Sequence, residues 1–167
     1  MNIFPDPLLD EAKGLIEDYR RRGWRIVTAE SCTGGLIAGC LSEIPGASDV
    51  LEGGFVTYSN AAKNQHLGVP RETIQRVGAV NAEVAEAMAE GALTKGNADV
   101  AVSATGIAGP GGGSADKPVG LVFLGAARRG GQARHERHVF AGDRTAIRLA
   151  AMAAAFALLR RISDQED

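Results

Sequence analysis

The side chains best suited to chemistry fall in three short stretches. Residues 29–35 read AESCTGG and set a serine beside a cysteine, between an apolar lead-in (Ile26, Val27) and an apolar run (Leu36, Ile37, Ala38). The pattern predicts a strand, a turn and a helix. It places Ser31 where a helix starts, so the backbone N–H groups of Cys32, Thr33, Gly34 and Gly35 are partly free. Such groups can bind a phosphate or stabilise an oxyanion. The competing use is a plain helix cap by Ser31 or Thr33. GxSxG is absent, because Ala29 stands where the first glycine would be, so this is not the nucleophile elbow of α/β-hydrolases. Glu30 is a candidate carboxylate beside the serine; a partly exposed salt bridge would occupy it equally well.

The second stretch is TYSNAAK, residues 57–63. Ser59 or Asn60 can cap the helix that follows, which leaves Lys63 in its first turn. A lysine is electrostatically misplaced there. The same misfit favours the neutral amine, the state a general base needs. Tyr58, at the strand end, could orient that amine or relay a proton. A solvated surface lysine is the ordinary alternative. The third stretch, GIAGPGGGSADKP (106–118), is a long loop rich in glycine. Glycine lets backbone N–H groups approach an anion closely, but the Gly-Lys-Ser/Thr ending of a P-loop is missing. A bare surface connection would have the same composition. Arg144 could reach an anion bound nearby, and Arg148 lies one turn on.

Positioning these stretches requires a set of alternating elements. Asp6-Pro7 reads as a cap and first turn; Leu8, Leu9, Ala12, Leu15, Ile16 and Tyr19 then recur at helical spacing up to Gly23. Strands are expected at 24–29, 53–59 and 99–105, the last an apolar run of the kind buried on both faces. A helix is expected at 34–41, a loop at 44–48, and two short helices at 60–67 and 71–77 around Gly68 and Pro70. Asn81 caps a helix over 82–95. Residues 120–128 and 133–140 form strands joined by a Gly-Gly turn. Asp143 then caps a long helix to about residue 162, followed by a polar tail, SDQED. The order predicts a three-layer α/β/α sandwich around a mostly parallel, mixed sheet. Ligands collect at the carboxyl ends of strands in such sheets, which would bring the three stretches together.

Bulk properties narrow the function classes. A chain of 167 residues is expected to be one domain, 1–167, able to bury roughly two-thirds of its unfolded surface. Net charge is −2 and only eight Phe, Trp or Tyr residues are present, which argues against nucleic-acid binding. No apolar stretch reaches the ~20 residues that cross a bilayer; 149–159 is too short. MNIFPDPLLDEAKG has acids and prolines where a signal peptide needs a basic start, so a cytoplasmic location is expected. Cys32 and Cys40, if on one helix, lie about 12 Å apart, too far for a disulfide. His135 and His138 would face opposite sides of a strand, and no cluster points to a metal. His66 stands alone. The alanine-rich final helix offers a smooth packing surface, so a homo-oligomer is expected.

TAESCTGG, GGFVTYSNAAK, LGVP, GAVNAEVAEAMAEGA, ATGIAGPGGGSADKPVG and FAGDR, in this order over about 24–159, resemble the CinA C-terminal domain family in its stand-alone form. The resemblance implies nicotinamide-mononucleotide (NMN) amidohydrolase activity, also called NMN deamidation: the carboxamide is hydrolysed to nicotinate mononucleotide and ammonia, in pyridine-nucleotide salvage and without a metal or other cofactor. It implies Ser31 as nucleophile and Lys63 as base, with Tyr58 beside them. Thr105, Gly106, Gly109, Gly111 and Gly112 would lie at the substrate site, and Arg144 would contact the phosphate. Cys32 stays open as a second nucleophile, since a thiol at a helix start is readily activated. A non-catalytic nucleotide-binding or regulatory module is the alternative function, in keeping with the family's name, which comes from competence and DNA damage. The motifs do not fix the breadth of amide substrates or which loop closes over the ligand.

Overall fold

Residues 1–165 are described by a computed structural model of the chain; Glu166 and Asp167, the end of the polar tail, lie outside the described residues. The elements run α1 (Asp6–Arg22), β1 (Ile26–Glu30), α2 (Leu36–Ser42), β2 (Leu51–Val56), α3 (Asn60–Leu67), α4 (Arg71–Val77), α5 (Ala82–Gly96), β3 (Val100–Gly106), β4 (Leu121–Arg128), β5 (Arg134–Val139) and α6 (Arg144–Ser163). The sheet order is β2-β1-β3-β4-β5. β1 pairs in parallel with β2 and β3, while β4 runs antiparallel to β3 and to β5. Four of the five strands therefore point the same way, giving the expected mixed sheet of a three-layer α/β/α sandwich.

Each face of the sheet has its own core. Leu15, Ile16 and Tyr19 of α1, Ile37 and Leu41 of α2, and Met152 and Phe156 of α6 pack on Ile26, Val102 and Leu124. On the other face, Leu67 of α3, Ile74 of α4, and Val84 and Met88 of α5 pack on Val27, Ala29 and Ala101. β3 contributes to both, as an unbroken apolar run must. Among the described residues no helix is long and apolar enough to cross a membrane.

Several helix ends follow the sequence closely. Gly23 closes α1 with φ of 68°, Asn81 accepts from the Glu83 N–H, and Asp143 accepts from the Ala146 N–H. Two starts differ. Pro5 precedes α1, and Asp6 is its first residue rather than its cap. α2 begins at Leu36, not Gly34, because Gly34 and Gly35 have φ of 58° and 98°, which no helical residue adopts. Cys32 is therefore in the preceding turn, with Cys40 alone on the helix; both thiols are free and buried. β2 also starts earlier than residue 53. Its Gly54 is required, since a Cβ there would lie 2.6 Å from Thr28 Oγ1 and 3.2 Å from the Ala38 side chain.

Candidate active site

Side-chain alternation along β1 sorts the residues at its tail. Ile26 belongs to the core under α1, α2 and α6, and Val27 and Ala29 belong to the opposite core. With a period of two, Glu30 follows Ile26 and Ser31 follows Ala29. Glu30 is fully buried. Its carboxylate accepts the N–H of Ile37 at 2.9 Å and of Ala38 at 3.1 Å, and the Thr28 hydroxyl at 3.0 Å. Glu30 thus satisfies the first turn of α2, the task expected of Ser31 or Thr33. Glu30→Ala should lower the unfolding free energy by about 2–4 kcal/mol, because two amides and a hydroxyl lose their acceptor in the interior. Glu30→Gln, which keeps one carbonyl oxygen, should lose less. Denaturant titration of both variants measures this, and equal losses would contradict it.

Ser31 faces the other layer and meets Lys63 of α3. The tails are laced by backbone bonds: Ser31 N–H donates to the Ala104 carbonyl, and Thr57 N–H to the Glu30 carbonyl, each at 2.9 Å. Ser59 caps α3 by accepting the Ala62 N–H at 3.0 Å, which sets Lys63 one turn inside. Its Nζ lies 3.0 Å from Ser31 Oγ, 2.8 Å from the Thr57 carbonyl oxygen and 3.2 Å from that of Tyr58. Only 1% of Lys63 is exposed. Burial pulls its pKa from 10.5 down to about 8, against a small upward influence of Cys32. Desolvation is therefore the main cause, ahead of the helix dipole expected from sequence. A neutral amine fits three such neighbours: two N–H groups serve the carbonyls, and the lone pair accepts the Ser31 hydroxyl proton.

A cavity of about 290 Å³ opens above this pair, lined by Ser31, Cys32, Tyr58, Lys63, Thr105, Gly106, Gly109, Gly111, Gly112 and Arg144, together with Ala79, Val80, Ile107 and Ala108. The expected meeting of three strand tails is observed. Glu30, Thr33, Gly34 and Gly35 are not among the lining residues. Tyr58 also differs from its expected use. Its phenol does not touch Lys63; its carbonyl does, and its hydroxyl accepts from Arg144 Nη2 at 2.9 Å. Arg144 Nη1 donates to the Gly109 carbonyl at 2.8 Å, which leaves three of its five N–H groups undonated among the described residues. The Thr105 hydroxyl donates to the Ala79 carbonyl at 2.8 Å, drawing the linker between α4 and α5 over the cavity. Ala79 and Val80 gave no chemical signal in the sequence. Their one mark was position, apolar residues in a linker just before the Asn81 cap. Cys32 is buried, and burial pushes its thiol up to about 11.

The glycine loop is tied down at several points. Ile107 N–H donates to the Leu121 carbonyl and Gly120 N–H to the Ile107 carbonyl, each at 2.8 Å, and Lys117 Nζ donates to the Val77 carbonyl at 2.6 Å. Outside the cavity, His135 pairs with Glu86 and His138 with Glu136. Among the described residues no three His, Cys, Asp or Glu side chains gather closely enough to hold a metal ion.

The family described as the CinA C-terminal domain matches residues 10–163. The chain belongs to this family. The match extends past both ends of the 24–159 span carried by the motifs. The nicotinamide-nucleotide amidohydrolase PncC of Enterobacter agglomerans is 51% identical over 139 residues, covering 83% of this chain and 84% of that protein. A CinA-like protein of Akkermansia muciniphila is 50% identical over 136 residues, which cover 81% of this chain but only 33% of that longer protein. The crystal structure of the competence/damage inducible protein CihA of Agrobacterium tumefaciens superposes with a TM-score of 0.96 at 48% identity, over 98% of this chain and all of that one.

Proposed function

We propose that this CinA-family chain is an amidohydrolase that converts NMN to nicotinate mononucleotide and ammonia, with Ser31 as nucleophile and Lys63 as base. The observation that carries this reading is the 3.0 Å contact between Lys63 Nζ and Ser31 Oγ in a buried setting that favours the neutral amine. Kinship with a protein named for nicotinamide-nucleotide hydrolysis supplies the substrate class.

The chemistry follows from that contact. Lys63 takes the hydroxyl proton as Ser31 Oγ adds to the carboxamide carbon, and the carbonyl oxygen becomes an oxyanion. Lys63 then returns the proton to the amide nitrogen, the C–N bond breaks, and ammonia leaves an acyl ester on Ser31. Water adds to that ester with Lys63 again accepting a proton, and nicotinate mononucleotide departs as Lys63 returns that proton to Ser31 Oγ. Arg144, held between Gly109 and Tyr58, offers its free N–H groups to the phosphate; Tyr58 contributes by placing Arg144. Cys32 is the weaker nucleophile because its thiol stays protonated at neutral pH.

The test is ammonia release from NMN by the purified protein. None at micromolar enzyme would reject the reading. The pH dependence is a second check. The active form carries neutral Lys63, so kcat/KM should rise with pH up to about 8 and level off above it. A profile flat from pH 6 to 9, or one falling through about pH 8, would remove Lys63 as the base.

A further inference from the structure

Arg148 lies one turn beyond Arg144 on α6 and is not among the residues lining the cavity. It is half-buried against the turn that carries Ser31. Its Nε donates to the Cys32 carbonyl at 3.0 Å and its Nη2 to the Thr33 carbonyl at 3.3 Å. The peptides of this turn are trans, so each carbonyl faces opposite to the N–H of the next residue. Gripping the Cys32 carbonyl turns the Thr33 N–H away from α6. Gripping the Thr33 carbonyl fixes the Gly34 N–H, which donates to the Ser31 carbonyl at 3.0 Å. That bond in turn fixes the Cys32 N–H. Among the described residues, neither the Cys32 nor the Thr33 N–H donates to another residue. Space at Gly34 agrees with this: its φ is +58° and a Cβ there would come within 3.2 Å of Arg148 Nη2, so the guanidinium needs a glycine beneath it.

We propose that Arg148 is the positioning residue of the oxyanion site, holding the turn so that the amide of Cys32, a lining residue of the cavity, meets the oxygen that becomes negative when Ser31 attacks. This rests on the reading of Ser31 as the nucleophile of an amide hydrolysis. Arg148 touches no reacting atom. It acts through two carbonyls, and a planar fork spanning both is a task an ammonium cannot copy.

The experiment compares the 167-residue chain with Arg148→Met, Arg148→Lys and Arg148→Ala, using NMN as substrate and reading ammonia release and thermal melting. Loss of the aligned oxyanion donor should lower kcat on the order of 100- to 1000-fold in the methionine variant, with KM changed less than about threefold. Arg148→Lys should recover less than about a tenth of the wild-type kcat. Guanidinium added to Arg148→Ala should raise its kcat by about tenfold or more while leaving the wild type unchanged. The pH midpoint near 8 set by Lys63 should not move. The proposal is overturned if kcat stays within about twofold of wild type, or if kcat, KM and melting temperature worsen together without guanidinium rescue. A wild-type protein that releases no ammonia would overturn the amidohydrolase reading as well, which separates the two failures.

Discussion

Lys63→Met should lower amide hydrolysis by on the order of 10⁴-fold or more while leaving the fold intact. Methionine matches the length and apolar character of the lysine stem, so the core between α3 and β1 keeps its packing. What disappears is the acceptor for the Ser31 proton, together with the group that reprotonates the departing ammonia. Lys63→Arg should be equally inactive, since a guanidinium does not give up its proton in the working range. Steady-state ammonia release measures the loss, and a methionine variant retaining more than about a tenth of wild-type kcat would sink the assignment. Stability gives an independent signature. The folded pKa, about 8, lies below the unfolded value of 10.5. Above 10.5 both states hold the neutral amine, and below 8 both hold the charged form, with the folded state bearing its desolvation. Between them the unfolded state binds more protons, so stability rises with pH through that window. Melting experiments on wild type should show this rise, and Lys63→Met should lack it.

Ser31→Ala should be as damaging as loss of the lysine, again on the order of 10⁴-fold in kcat, because the two groups act as one unit. Cys32→Ala should stay within about tenfold of wild type. The two residues are neighbours in sequence, yet their surroundings separate them. Ser31 Oγ is in contact with Lys63 Nζ, whereas the Cys32 thiol has its pKa pushed up to about 11 by burial and forms no hydrogen bond with that amine among the described residues. Kinetic constants for both variants decide the matter. Full activity in Ser31→Ala with loss in Cys32→Ala would move the nucleophile to the thiol and leave the 3.0 Å contact as mere packing. The double substitution Ser31→Ala with Lys63→Met should cost little more than either alone.

Local rules set much of this molecule in advance. Gly68 and Pro70 separate α3 from α4 at the residues expected, and Asn81 and Asp143 cap their helices, because such stops act over a few residues and are independent of the rest of the fold. The alternation of helices and strands implies the layered architecture, and the rule that ligands sit at strand carboxyl ends points to the cavity that Ser31, Lys63, Thr105, Gly106, Gly109, Gly111 and Gly112 line. The tertiary structure decided the finer roles. Period-two alternation separates Glu30 from Ser31, but which layer each side chain enters depends on where α2 and α3 dock. Glu30 became a buried cap and Ser31 the partner of Lys63. The turn at 31–35 is only partly legible in sequence: Gly34 and Gly35 permit its positive φ angles, but its contact with Arg148, 115 residues from Thr33, involves no local signal. The sequence marks Lys63 by its place in the first turn of α3, but its lowered pKa comes first from burial. Burial is a property of what folds over a residue, and a linear sequence holds it only implicitly.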